Sequence, residues 1–118
     1  MERLRRRADF KAVAGGGRVA RPAFVLQALK ASGEDDRPPR VGFTVTRKTG
    51  NAVVRNRIRR RLKAAVAAAG ERLESATDYV VIGRRAALTL QFQRLVTDLE
   101  TGLAAVSRNR QAPDRPVK

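Results

Sequence analysis

RVGFTVTRKTGNAVVRNRIRRRL, residues 40–62, changes its hydrophobic period part-way along. From Arg40 to Thr46 the period is two. Val41, Phe43 and Val45 point one way, and Gly42, Thr44 and Thr46 point the other, which predicts a strand with one core face and one small, polar face. Arg47-Lys48-Thr49-Gly50-Asn51 then forms a link, with Asn51 suited to cap a helix. From Val54 onward the apolar residues recur at helical spacing: Val54, Ile58, Leu62, Ala65 and Val66 form one stripe. Gly70 suits the stop.

The helix carries an unusual charge. Arg55 to Lys63 holds six cations in nine residues, and no acidic residue occurs from Arg37 through Gly70. At 100° per residue, Asn56, Arg59, Arg60 and Lys63 lie opposite the apolar stripe. Arg57 and Arg61 flank it on one edge. Arg55 falls on the other edge, where it must reach around, snorkel, or bind in a partly buried position. Arg55–Arg59, Arg57–Arg61 and Arg59–Lys63 are like-charge pairs at i,i+4, each destabilising by a few tenths of a kcal/mol. Cations near a helix N-terminus also oppose the helix dipole. A plain solvated face normally mixes signs, so a polyanion is the better counterpart. Nucleic acid fits more closely than a membrane surface, because no bulky aromatic stands ready for insertion.

Composition agrees. The 118 residues carry a formal charge of +15, with 21 Arg and 5 Lys, and such a basic balance points to nucleic acid. A GC-rich genome explains much of the Arg excess over Lys. No run approaches the roughly 18 apolar residues that span a bilayer, and no secretory apolar region follows the basic N-terminus, so a cytoplasmic chain is expected. There is no His, Cys or Trp, which removes zinc sites, Cys nucleophiles and His bases. Glu34, Asp35 and Asp36 are the one acidic cluster, in a polar stretch before Pro38-Pro39 that reads as a solvated turn. No catalytic residue is assigned to the chain.

The remaining segments supply the rest of one domain. Arg5 to Ala14 reads as a short helix ended by Gly15-Gly16-Gly17. Ala23 to Lys30 reads as a strand and Ala31 to Pro39 as a loop. Asp78 to Arg84 contains the apolar run Tyr79-Val80-Val81-Ile82, typical of a strand covered on both faces. Phe92, Leu95, Val96, Leu99, Leu103 and Val106 mark an amphipathic helix. Residues 1–106 are therefore expected to form a single α+β domain, with residues 107–118 a disordered basic tail. The order is αββαβα at least, with room for a further short strand before the basic helix.

With these segments in place, residues 40–62 resemble the protein subunit of bacterial ribonuclease P: an RVGFxV strand, a basic pair, Gly-Asn-Ala-Val, then Arg-Asn-Arg and more cations. Arg6-Arg7-Ala8-Asp9-Phe10-Lys11-Ala12-Val13 resembles that family's N-terminal helix, and Asp78-Tyr79-Val80-Val81-Ile82 its late strand. The resemblance implies a two-layer α+β sandwich of αβββαβα order, with a mixed sheet packed by helices and a left-handed βαβ crossover. It implies a partner of a catalytic RNA that removes the 5′ leader from precursor tRNA, monomeric in a 1:1 complex. In that family the RNA holds the magnesium and does the chemistry, and the protein itself needs no cofactor.

Carried over by position, Arg55, Asn56 and Arg57 would sit near the junction of catalytic RNA and leader. Arg59, Arg60, Arg61 and Lys63 match the basic positions that follow, and Arg47, Lys48 and Asn51 the loop that enters the helix. Phe10, Gln27, Thr44 and Thr46 would belong to the leader cleft. Phe10 either stacks on an unpaired base there or simply packs on the sheet. Ala14 and Gln27 stand where many relatives carry aromatics, and Thr49 replaces a common aliphatic. Leader binding would then lean on charge and hydrogen bonds more than on stacking.

Overall fold

A computed structural model describes residues 2–31 and 37–111. Strand β1 (Glu2–Arg3) precedes helix α1 (Arg7–Ala14), strands β2 (Gly17–Arg21), β3 (Phe24–Lys30) and β4 (Arg40–Thr44), and helix α2 (Ala52–Ala68). Strand β5 (Thr77–Gly83) and helix α3 (Phe92–Gln111) complete the chain. The class is α+β, and one five-stranded mixed sheet runs in the order β1-β4-β5-β3-β2. Strands β1 and β5 lie parallel to β4, whereas β3 is antiparallel to both β5 and β2. Strand β2 is the further short strand for which the pattern left room and which completes the αβββαβα order; strand β1 goes beyond it. Helix α3 runs past residue 106 to Gln111. Residues 107–111 of the expected tail are thus helical, and its remainder, residues 112–118, lies outside the described residues, as does the expected acidic turn at Glu34, Asp35 and Asp36.

Strand pairing sorts side chains onto two faces. Val41 pairs with Tyr79, Phe43 with Val81 and Leu26 with Val81, and these residues join one apolar cluster with Ile58, Leu62 and Val66 of α2 and Leu95 and Leu99 of α3. Ile58, Leu62, Leu95 and Leu99 are fully buried. Each such side chain contributes about 1.5–3 kcal/mol relative to exposure. The stripe spaced along residues 54–66 is therefore what seats α2 on the sheet. Its first turn is closed by Asn51, whose Oδ1 accepts a hydrogen bond from the Val54 N–H at 3.0 Å, as a helix cap should.

The opposite face has a smaller cluster: Leu4, Val13 and Val80, with Phe10, Leu29 and Ile82 against it. Helix α1 lies there, stopped where the N–H groups of Gly15 and Gly16 donate to the Ala12 and Val13 carbonyls. One ion-pair network ties this face together. Arg40 donates to both oxygens of Asp78, at 2.9 and 2.7 Å, and Arg37 approaches the same carboxylate to 3.1 Å. Arg40 also lies 3.6 Å from Asp9 of α1. Arg40 and Asp78 are partners in the β4–β5 register, so the pair staples two parallel strands whose neighbourhood is set by α2.

Candidate nucleic-acid interface

The outward side of α2 carries Asn56, Arg57 and Arg60 exposed, with Arg59 and Lys63 half-buried. Arg59 donates to the Asn56 side-chain oxygen at 3.0 Å, which orders both groups. The Lys63 ammonium sits 6.0 Å from the centre of the Phe43 ring, at the outer limit for a cation–π contact. Val53, Asn56, Arg59, Arg60 and Lys63 line one shallow depression. Among the described residues, the salt bridges engage Arg37, Arg40 and Arg94 and none of the α2 cations. The repulsion read from the sequence is thus left uncompensated within the described fold, and a polyphosphate backbone is the counter-charge that relieves it.

Two arginines of the same helix face inward. Arg61 donates to the carbonyls of Ala87 and Leu90, at 2.5 and 2.6 Å. Its charge serves the segment after β5, a short 3-10 turn at Arg85–Leu88. Arg55, on the edge of the apolar stripe, turns back and donates from Nε to the Gly50 carbonyl at 3.1 Å. Of the positions the resemblance marks as RNA-binding, then, Asn56, Arg57, Arg59, Arg60 and Lys63 share an outer surface. Arg55 and Arg61 are engaged with the chain itself. Arg47 and Lys48 are exposed on the turn before α2, and Asn51 is the cap.

Phe10, Gln27 and Thr44 come together on the α1 side of the sheet. A Cβ built on Gly42 would lie 2.4 Å from Phe10 Cζ, so the ring rests directly on the backbone of β4. Gln27 pairs with Val80, which pairs with Gly42; Val25, Ile82 and Thr44 form the next row. Gln27 is 6% exposed, and its amide has no side-chain hydrogen bond among the described residues. Phe10 is half-buried and does pack on the sheet, with part of its surface left open. Thr46 stands apart from these three, exposed beyond the end of β4, with its hydroxyl 3.4 Å from that of Thr49.

These two groups lie on opposite faces of the sheet. The turn between β4 and α2 joins them. Thr46, Lys48 and Thr49 line a shallow hollow with Ile82, Arg84 and Arg85, reaching from the α1 face to the entrance of α2. Arg84 and Arg85 are absent from the expected site. Their signal was available: Arg84-Arg85 follows the apolar run of β5 as Arg47-Lys48 follows that of β4. Parallel pairing of the two strands brings those ends together.

A sequence-family model described as Ribonuclease P matches residues 1–107. The chain belongs to the Ribonuclease P family. It is similar to the Ribonuclease P protein component of Brucella suis, at 41% identity over 120 aligned positions, covering 96% of this chain and 85% of that one. Similarity to the corresponding component of Gluconacetobacter diazotrophicus is 52% over 105 positions, covering 86% and 87%. A solved structure of the Staphylococcus aureus RNase P protein superposes with a TM-score of 0.71 at 28% identity, over 93% of this chain and 98% of that one. The match to the Ribonuclease P family spans both faces described above and the turn between them.

Proposed function

We propose that this chain is the protein component of a ribonuclease P ribonucleoprotein and assists a catalytic RNA in removing the 5′ leader of precursor tRNA. One observation carries the reading: a helix face of cations without a salt bridge among the described residues continues, through a basic turn, toward the partly exposed Phe10 and Thr44 on the other side of the sheet. That continuity suits a ligand with two parts. Asn56, Arg57, Arg59, Arg60 and Lys63 would take phosphates of the catalytic RNA, where the positive field supplies affinity without reading sequence. Arg47, Lys48 and Thr46 would pass the leader toward Thr44, Gln27 and Phe10. An unpaired base stacked on Phe10 is worth roughly 1–3 kcal/mol, and the Gln27 amide has hydrogen-bonding capacity to spare.

In this reading the hydrolysis belongs to the RNA, which brings magnesium as the metal of the reaction. The protein works as a monomer in a 1:1 complex, in the cytoplasm. Reconstitution tests it. The purified chain is added to catalytic RNA of the family and an end-labelled precursor tRNA, at a magnesium concentration where RNA alone is slow. Strong stimulation with correct 5′ ends, and no cleavage without the RNA, is expected. A folded, RNA-binding chain that gives no stimulation would leave only a generic basic module.

A further inference from the structure

The turn that enters α2 is held from both sides by arginines belonging to other elements. Arg85, beyond the end of β5, donates from Nη1 to the Thr49 carbonyl at 2.7 Å. Arg55, one turn into α2, donates to the next carbonyl, that of Gly50, at 3.1 Å. Asn51 then caps the helix through the Val54 N–H. Three consecutive residues, 49 to 51, are each fixed by a side chain or to one. The fit is close. A Cβ at position 50 would meet Val54 Cγ1 at 2.8 Å and the Arg85 guanidinium at 3.3 Å, so a side chain there would push against both the helix and the clamp. Arg61 completes the arrangement by tying α2 to the carbonyls of Ala87 and Leu90, just past Arg85.

The arrangement has a cost that a purely structural contact would avoid. Arg85, Arg55 and Arg61 concentrate like charge at one end of a chain that already carries +15. The acceptors are neutral carbonyls, which relieve little of that repulsion. What Arg85 and Arg55 fix is the turn that follows Arg47 and Lys48, the cations that bridge the two faces.

We propose that Arg85 is a positioning residue, which with Arg55 locks the β4–α2 turn so that Lys48 is presented to RNA in one geometry. This rests on the turn being an RNA contact, as in the function proposed above. Arg85 then contributes to binding through Lys48 rather than through a phosphate contact of its own, although its side chain is exposed. A flexible turn would still carry the Lys48 charge, but ordering it on binding would consume part of the interaction energy.

A double-mutant cycle tests this with the chain assembled on its catalytic RNA, reading the dissociation constant for precursor tRNA at fixed salt. Lys48→Gln and Arg85→Met, which keeps an apolar stem of similar reach, are each expected to weaken binding about tenfold, as for a lost hydrogen bond to a charged group. The double variant is expected to be no weaker than either single one, because both remove the same interaction. Arg85→Met combined with Arg60→Gln is expected to be multiplicative. If Arg85→Met and Lys48→Gln multiply, Arg85 meets RNA directly and the proposal fails. Equal coupling of Arg85 to Lys48 and to Arg60 would mark a general loss of structure, and would overturn it as well. A silent Lys48→Gln would instead remove the turn from the RNA surface, while an Arg60→Gln effect would still support the basic helix. Urea midpoints of each variant, with Arg85→Lys as a second substitution, keep a folding defect distinguishable from a binding one.

Discussion

At adjacent positions of α2, Arg60 lies in solvent while Arg61 holds the carbonyls of Ala87 and Leu90. The two should separate cleanly in measurement. Arg61→Ala removes two charge-assisted hydrogen bonds and is expected to cost about 1–3 kcal/mol in a urea titration. Arg60→Ala is expected to stay within about 0.5 kcal/mol of the parent but to lower the slope of log K against log salt by about 0.7–0.9. Equal losses of stability would erase the distinction. Sequence spacing identified the cationic run and its outer face. It could not single out Arg61, because the acceptors lie 26 and 29 residues further on. Asp78 offers a second test at this scale. Burial pushes its carboxyl upward, but the Arg40 hydrogen bonds and the Arg40 and Arg37 charges outweigh that and hold it below its ordinary 3.8. A depressed native pKa stabilises above the unfolded value and is lost as pH falls through the folded one. Stability should therefore be flat down to about pH 4 and fall below it. Asp78→Asn should cost about 2 kcal/mol at neutral pH and flatten the acid limb in urea titrations repeated across that range.

Helix α1 approaches β4 most closely where Phe10 rests on Gly42. Gly42→Ala places a methyl 2.4 Å from Phe10 Cζ and 3.1 Å from Leu4 Cβ, so the Phe10 ring must shift off β4. The expected loss is about 1–3 kcal/mol, as for other overpacked sites, read by thermal or urea unfolding. An unchanged midpoint would mean that the ring moves aside without cost and that the Phe10–Gly42 contact does not hold α1 in place. At this scale the sequence was most legible where an element carries its own signal. The α2 stripe and the Asn51 cap stand where the periodicity and capping chemistry placed them. The alternating run from Arg40 gave β4, although its last ladder residue is Thr44 rather than Thr46. The strands that local pattern did not locate are those that exist through their partners. Gly17–Arg21 follows three glycines and owes its extended form to pairing with β3. Glu2–Arg3 is two residues long and is a strand only because β4 lies beside it. The site divided in the same way: Phe10, Gln27 and Thr44 came from the family resemblance, whereas Arg84 and Arg85 needed the β4–β5 pairing to bring them to the turn.

Over the whole molecule, a charge of +15 opposes compaction unless anions gather on it. Sulfate should raise the unfolding temperature more than chloride at equal ionic strength, because a bound anion stabilises the folded state by mass action while screening alone treats the two salts alike. A rise of about 5 °C or more is expected at sulfate concentrations tenfold above its dissociation constant. Matching curves in the two salts would show that the basic faces hold no anion specifically.

The sheet order also sets a timetable. Strands β4 and β3 never touch; β5 lies between them and pairs with both. While the chain is being synthesised from its N-terminus, the β2–β3 hairpin and the β1–β4 pair are therefore two separate pieces until residue 83 has left the ribosome. Helix α2 emerges before that strand, with its cationic side complete and the sheet floor for its apolar stripe unfinished. A nascent chain in this state would offer its most basic segment to any nearby RNA, ribosomal RNA included, before the fold could hold that segment in place.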